Sequence, residues 1–119
     1  MEKNGKAKKL RIYLSNTDSY KHVPLYQYIT RKAREEGLAG ATVYKGIMGY
    51  GTSSNLVNPS FWEFVEKVPV TIEIIDSEEK ITHFLSTIQQ TLNAQPKGCL
   101  ITMRDVDVVF VKQGEQDKS

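Results

Sequence analysis

The residues best suited to binding chemistry lie in one glycine-rich stretch. Five glycines fall between Gly37 and Gly51, and the hydroxyl residues Thr52-Ser53-Ser54 follow. Because glycine has no side chain, successive backbone N–H groups can form a concave nest for an anion, and hydroxyl groups add donors. The residues alone favour a plainer alternative, in which Gly49-Tyr50-Gly51 is only a tight exit from a strand. No Gly-Lys-Ser/Thr follows at the spacing of a Walker A loop.

Cations and aromatic residues near the predicted loops extend this candidate site. The candidate phosphate partners are Lys45, Lys97 and Arg104. Each of them can equally be an ordinary surface cation. Tyr20 and Tyr50 are candidates to stack on a base or to pack in a subunit interface. A candidate partner-binding patch, which can equally be the core of a short helix, consists of Phe61, Trp62 and Phe64.

Metal and catalytic chemistry have little support in the residue pattern. The soft metal ligands are His22, His83 and Cys99, which are scattered and show no paired spacing. The sequence therefore predicts no metal site within one subunit. No Ser/His/Asp or Cys/His arrangement accompanies a turn that could present a nucleophile, so we expect a protein that is not an enzyme.

The composition is that of one ordinary globular domain. The chain has 119 residues, 39% of them hydrophobic and 25% charged, with a net charge of +2. This charge is too small to indicate a nucleic-acid partner. The single cysteine excludes an internal disulfide and favours a reducing compartment. The first residues do not resemble a secretory signal, and no apolar run approaches the roughly 20 residues that span a bilayer. We expect a cytoplasmic protein.

The first half of the chain predicts a strand, a helix and a second strand. Apolar residues alternate from Leu10 to Leu14, as in a half-buried strand. A helix over about 24–36 follows, with Pro24 in its first turn and Gly37 as its C-terminal cap. Residues 41–48 predict the second strand, which Gly46 weakens.

The second half predicts a long loop, a strand, a helix and a final strand. Residues 49–67 form the loop, in which Asn58-Pro59 indicates the start of a short helix. Residues 68–74 alternate as a strand with Pro69 near its beginning. Asp76 with Glu79 resembles a capping box for the second helix. Residues 99–111 are β-rich, and we expect Arg104-Asp105 to interrupt them.

This order of elements predicts an α+β fold, a ferredoxin-like βαββαβ sandwich with a four-stranded antiparallel sheet and both helices on one face. The domain spans 9–112, between a disordered basic tail (1–8) and a polar tail (113–119). A polyanion-binding arm is the alternative for the first tail. The residues predicted on the open face of the sheet are Arg11, Tyr13, Thr42, Tyr44, Thr71, Glu73, Asp107 and Val109. They are too aromatic and β-branched for a solvated surface, so we expect oligomerisation, in a ring of three, to cover them.

Several motifs resemble one known family. They are Pro24-Leu25-Tyr26, Arg31-Lys32-Ala33-Arg34, Gly37-Leu38-Ala39-Gly40-Ala41-Thr42-Val43, Gly46-Ile47-Met48-Gly49-Tyr50-Gly51 and Ser53-Ser54. Together with 68–76 and 100–109, they resemble the PII-like family of bacterial and archaeal proteins catalogued as domain of unknown function 190. The likeness covers about residues 8–112.

The resemblance implies a compact homotrimer that binds an adenine nucleotide, ADP, ATP or AMP, or a related effector between subunits. It also implies that the loop after the second strand contacts a partner protein, often a transporter or an enzyme. On this analogy the loop base comprises Gly49, Tyr50, Gly51, Thr52 and Ser53. In PII proteins the phosphate-holding loop before the last strand is rich in glycine and lysine, and here Lys97 and Gly98 keep part of that chemistry. The alternative is a metal-responsive or purely structural trimer that binds no nucleotide.

Overall fold

The computed structural model describes residues 5–50 and 67–115, which form a four-stranded antiparallel sheet with two helices packed on one face. The elements in chain order are β1 (Gly5–Ser15), β2 (Ser19–Tyr20), β3 (Val23–Pro24), α1 (Leu25–Glu35), β4 (Ala41–Lys45), β5 (Pro69–Asp76), α2 (Glu78–Asn93) and β6 (Leu100–Val108). The strand order is β4-β5-β1-β6, and β2 pairs with β3 in a separate hairpin. This is the ferredoxin-like sandwich that the sequence predicted.

The core lies between the helices and the two central strands. Alternate residues of a strand point to opposite faces. β1 and β5 therefore present one face of buried aliphatic residues: Leu10, Ile12, Leu14, Val70, Ile72 and Ile74. The helices cover this face with a second buried set: Leu25, Ile29, Ala33, Ile81, Phe84, Ile88 and Leu92. Within the described residues, neither helix is long and apolar enough to cross a membrane.

The first strand begins earlier than the sequence predicted. β1 starts at Gly5, so residues 5–8 are part of the sheet and not of a disordered tail. They pair with the far end of β6, from Gly5 opposite Val108 to Lys8 opposite Asp105, and the last two side chains form an ion pair. These residues carry few apolar side chains, so the hydrophobic pattern cannot show that they are in a strand.

Two other strand boundaries also differ from the prediction. β6 runs without interruption through Arg104 and Asp105, which pair with Lys9 and Lys8 of β1. Charged side chains fit there because β6 is an edge strand whose surface faces solvent. β4 ends at Lys45, three residues before the predicted end.

The start of α2 corrects the predicted capping residue. Its N-cap is Ser77, whose hydroxyl accepts a hydrogen bond from the Lys80 N–H at 3.3 Å. Asp76 is instead the fully buried last residue of β5. Its carboxylate accepts hydrogen bonds from the N–H groups of Ala39 at 2.8 Å and Ser77 at 2.7 Å. Asp76 thus joins the connection between α1 and β4 to the start of α2.

The open face of the sheet is largely the predicted one. Thr42, Glu73 and Arg11 lie side by side on neighbouring strands, and the guanidinium of Arg11 pairs with the Glu73 carboxylate at 2.9 Å. Tyr44, Thr71 and Tyr13 form the next row. Asp107 was assigned to the wrong face, since it pairs in register with Lys6 and so shares the helix side. Val109 lies beyond the end of β6.

The prediction for Asp107 failed because β6 carries apolar residues on both faces. Ile101 and Met103 alternate on the helix side, whereas Val106 and Val108 lie on the open face. The alternation of apolar residues in β6 therefore fits a strand with either face toward the helices. Only the pairing of β6 with β1 shows which face that is.

Removing the Asp76 carboxylate should destabilise the fold. In Asp76→Ala the N–H groups of Ala39 and Ser77 lose the buried carboxylate that accepts from them, which we expect to cost about 3 kcal/mol of unfolding free energy. Urea denaturation followed by circular dichroism measures this. The matched control is Asp105→Ala, whose exposed ion pair should contribute little. Equal midpoints for the two variants would contradict the role assigned to Asp76.

Candidate functional site

Four strand ends and the predicted binding loops meet at one end of the sheet. Because neighbouring strands are antiparallel, β4 and β1 end where β5 and β6 begin. The register shows this directly, with Lys45 opposite Val70, Ser15 opposite Pro69 and Tyr13 opposite Leu100. We call this edge the loop end of the sheet. Both loops of the predicted site leave from it.

The exit from β4 is packed tightly around Pro69. The Gly46 N–H donates to the Pro69 carbonyl at 2.8 Å. A Cβ at Gly46 would lie 2.7 Å from the Pro69 ring carbon Cγ, and one at Gly49 would lie 3.2 Å from the same atom. Glycine is needed at Gly46 for close approach. The tight strand exit that the sequence left open is therefore present, and it fixes where the following loop starts.

The side chains around this turn face solvent. Lys45 is exposed, and Tyr50 is 91% exposed with no partner ring among the described residues. Ile47 and Met48 are also exposed, at 95% and 80%. The base of the loop thus presents a cation, a free aromatic ring and apolar surface together. A single protomer leaves these groups available for contact with another molecule.

The second predicted loop, 95–99, lies at the opposite edge of the sheet. Lys97 and Gly98 follow α2 and precede β6, and both are exposed. β4 and β6 are separated by the two central strands, so the two loops lie about 14 Å apart at the usual strand spacing. One protomer therefore does not bring Lys45 and Lys97 together.

Other predicted residues lie elsewhere. Arg104 is in the middle of β6 on the open face, opposite Lys9 and away from the loop end. Tyr20 packs against Tyr28 with ring centroids 4.6 Å apart, and the Lys21 ammonium lies 5.2 Å from the Tyr20 ring centroid. Predicted residues outside the described part of the chain are Gly51, Thr52, Ser53, Phe61, Trp62 and Phe64.

A groove of about 510 Å³ between α1 and the free edge of β4 was not predicted. Its lining includes Tyr26, Thr30, Arg31, Arg34, Ala41 and Val43. The floor is apolar, and the two arginines on α1 give its rim a positive charge. Arg31 and Arg34 are three residues apart, which places them on one side of the helix. That spacing was visible in the sequence, but the free strand edge beside it was not.

A buried carboxylate near the loop end was also missed. Asp18 is 4% exposed; its Oδ2 accepts from the Ser15 N–H at 3.1 Å, and within the described residues its Oδ1 has no hydrogen-bond partner. Burial raises the pKa of the Cys99 thiol, and the negative charge of Asp18 raises this pKa further.

In the part of the chain that the structure describes, no three His, Cys, Asp or Glu side chains come together as a metal site would require. His83 lies on α2, 3.8 Å from the Glu36 carboxylate, and His22 lies in the β2–β3 hairpin. The exposed side chains around the loop end are therefore two cations, Lys45 and Lys97, and the aromatic ring of Tyr50, groups whose chemistry suits an anionic ligand with a planar base.

Comparison with known families assigns the chain. Residues 7–108 match the model of an uncharacterized family, domain of unknown function 190. The chain belongs to this family. It is 40% identical over 106 residues to a UPF0166 protein of Aquifex aeolicus, covering 89% of this chain and 96% of that protein. It is 37% identical over 87 residues to a UPF0166 protein of Methanocaldococcus jannaschii, covering 73% and 80%.

Two solved structures with the same fold are described as PII-like proteins. One is CPII of Thiomonas intermedia K12, a nitrogen regulatory PII-like protein bound to ADP, AMP and bicarbonate. It superimposes with a TM-score of 0.62 at 18% identity, over 95% of this chain and 100% of that one. Another is described as a PII-like signaling protein from Thermus thermophilus, with a TM-score of 0.61 at 18% identity, over 92% and 100%. At these identities the comparison establishes a PII-like fold.

The contact between Gly46 and Pro69 can be tested by adding one methyl group. Gly46→Ala places a Cβ against the proline ring and should destabilise the protein by about 1–3 kcal/mol. Gly40→Ala is the matched control, because a Cβ there meets no atom within 4 Å. Thermal or urea unfolding measures both variants. Pro69→Ala in the Gly46→Ala background should recover part of the loss, and failure to do so would place the strain elsewhere.

The Cys99 thiol should react slowly with alkylating reagents. Because its pKa is raised, less thiolate is present at pH 8 than in free cysteine, and the thiolate is the reactive form. We expect a rate of iodoacetamide labelling several-fold below that of free cysteine, measured by mass spectrometry. The urea-unfolded chain is the control and should react at the ordinary rate. Labelling of the folded protein at that same rate would contradict the burial of Cys99.

Proposed function

We propose that this protein is a small PII-like regulator that binds an adenine nucleotide between the subunits of a homotrimer. The observation that supports this most is the placement of the candidate residues at the loop end. The solved structure of CPII, which shares the fold, has ADP and AMP bound. Here the loop end carries exposed Lys45 and Tyr50 on one edge and exposed Lys97 on the other.

Each group has a chemical role in this proposal. Lys45 and Lys97 attract the phosphates, and the backbone N–H groups around Gly49 donate hydrogen bonds to phosphate oxygens, with Gly98 beside Lys97 leaving room for the ligand. Tyr50 stacks on the base, since its ring is free on both faces among the described residues. We extend the site to Gly51, Thr52 and Ser53 on the family resemblance. Arg104 is left out because it lies in the middle of β6.

A trimer is proposed because one protomer is incomplete in two ways. Its open face carries the aromatic rings of Tyr13 and Tyr44, of which Tyr44 is 52% exposed. Its ligand groups are divided between the two outer strands of the sheet. Joining copies edge to edge covers the open face and brings the two halves of the site together.

Signalling follows from how the loop is held. Its base is held by the hydrogen bond from the Gly46 N–H to the Pro69 carbonyl, so a ligand at Gly49 and Tyr50 acts where the loop begins. Binding shifts the population of loop conformations toward one that a partner protein, a transporter or an enzyme, recognises. Phe61, Trp62 and Phe64 are the proposed contact residues. The proposal assigns no reaction to the protein itself.

A structural trimer without nucleotide is a second candidate. The exposed apolar side chains of Ile47 and Met48, beside Tyr50, favour it, because such a patch also suits a purely adhesive contact. In that case the loop after β4 contributes to assembly, and the trimer is either metal-responsive or purely structural. Nucleotides then have no effect on the stability of the protein.

Thermal unfolding with AMP, ADP, ATP and divalent metals separates these functions. A nucleotide at one hundred times its dissociation constant should stabilise the folded protein by about 2.7 kcal/mol. Lys97→Ala should remove about half of that gain by weakening the affinity about tenfold. Lys112→Ala, another exposed lysine but one outside the site, should keep the full gain. No shift with any nucleotide would reject the proposed ligand, and a shift abolished by a chelator alone would favour the metal-responsive alternative.

A further inference from the structure

The open face of the sheet carries more positive than negative charge. The strand positions on this face hold one carboxylate, Glu73, and three cations, Lys9, Arg11 and Arg104. Arg11 is paired with that carboxylate, because its Nε donates to Glu73 Oε2 at 3.0 Å and its Nη2 lies 2.9 Å from the same oxygen. No second carboxylate on the strand positions of this face is left to balance Lys9 and Arg104.

The acidic residues of β6 lie on the other face. Asp105 is opposite Lys8 and forms an ion pair with it. Asp107 is opposite Lys6, also on the helix side. Arg104 lies on the opposite face from both, because alternate residues of a strand point to opposite sides. The acids closest to Arg104 in the sequence are therefore directed away from it.

Lys9 and Arg104 are direct partners in the pairing of β1 with β6. The Cβ atoms of such partners are about 5 Å apart, and like charges directly opposite each other destabilise a sheet. Among residues 5–50 and 67–115, the ion pairs include neither of these two side chains. The two cations are thus close neighbours whose repulsion no carboxylate offsets.

The residues around this pair are apolar. Ile75 of β5 lies opposite Lys9, and the next pair on the same face is Ala7 with Val106. Ala7 is 4% exposed, and Ile75 and Val106 are half-buried. Apolar neighbours hydrate a charge less well than water does, so electrostatic interactions there are stronger. An anion bound between the two cations would replace their repulsion with attraction.

We propose that Lys9 and Arg104 bind a small oxyanion of the phosphate class on the open face. The planar guanidinium of Arg104 presents parallel N–H donors that match two oxygens of such an anion. The ammonium of Lys9 adds a second charge and up to three further donors. A divalent oxyanion neutralises both cations at once and has oxygens for each. A chloride ion carries one charge and lacks paired acceptors.

This site is distinct from the nucleotide site proposed at the loop end. Lys9 and Arg104 are each four residues away from the pair formed by Tyr13 and Leu100, which marks the loop end. At about 3.4 Å per residue, the separation along the strands is about 14 Å. We therefore expect the oxyanion and the nucleotide to bind as two separate ligands.

In the proposed trimer the oxyanion should bind more strongly, and this step rests on the proposed function. Assembly covers the open face and removes water from it, so charges there interact more strongly. Each copy brings its own pair of Lys9 and Arg104, and covering the faces without an anion would leave all of these cations unbalanced. An oxyanion offsets this repulsion, so its binding should favour assembly.

Thermal unfolding in sodium phosphate and in sodium chloride of equal ionic strength tests the site, because salt screening is then the same in both. We expect the wild-type melting temperature to rise with phosphate along a saturating curve. Arg104→Gln and Lys9→Gln should each weaken the apparent phosphate affinity about tenfold. In chloride both variants should be at least as stable as the wild type, because each removes one of two repelling charges.

The matched control is Lys6→Gln, which removes a cation from the same strand but from the helix side of the sheet. It should keep the wild-type phosphate affinity. An absent phosphate response in the wild type, or one that Arg104→Gln and Lys9→Gln both retain in full, would overturn the proposal. A response lost in Lys97→Ala but kept in Arg104→Gln would also overturn it, since the phosphate would then bind at the loop end.

These measurements separate the oxyanion site from the proposed function. A phosphate response that depends on Arg104, without any thermal shift by AMP, ADP or ATP, supports the oxyanion site and rejects the proposed nucleotide. A full nucleotide shift without any phosphate response has the opposite meaning. Light scattering in the same buffers measures the mass. A single chain that still responds to phosphate through Arg104 supports the site and rejects only the trimer.

Discussion

The pairing of β5 with both β1 and β4 is the interaction on which the rest of the structure depends. The alternation of hydrogen bonds on β5 assigns its even-numbered residues to β1 and its odd-numbered residues to β4. It also places Ile72 and Ile74 on the covered face, where both helices pack. Once these choices are made, the outward backbone groups of β4 and β6 are determined. The edges that we propose to join are thus consequences of the core.

The sequence predicted this core well because its signals are redundant. Val70, Ile72 and Ile74 alternate without a break, and Phe84 and Ile88 recur at helical spacing, so each element is indicated by several residues at once. Pro69 marked the start of β5 correctly, since its missing N–H bars it from a central ladder position. Ser77 and Asp76 show the opposite case. Both residue types suit an N-cap, and only burial distinguishes the one that caps from the one that ends the strand.

The candidate site was harder to predict because its parts come from distant points in the chain. The likeness to PII-like proteins predicts a role for both loops, but no local pattern shows that Lys45 and Lys97 lie at opposite edges of the sheet. The groove between α1 and β4 could not be predicted from the sequence for a similar reason. In the sequence, Arg31 and Arg34 resemble ordinary surface cations on a helix. They line a groove only because β4, which follows them in the chain, is an edge strand beside α1. Asp18 gives no signal in the sequence, since only the packed structure shows that it is buried.

A site shared between copies couples ligand binding to assembly. In the proposed trimer, a nucleotide that contacts Lys45 of one copy and Lys97 of the next gains contacts that a separate chain lacks, so it strengthens the junction by the free energy of those contacts. The same linkage requires that assembly increases affinity. In this proposal the loop between β4 and β5 starts beside the junction, after the hydrogen bond from the Gly46 N–H to the Pro69 carbonyl. A ligand at the proposed junction would contact the base of the loop, which is a physical reason for proposing a regulatory signal there.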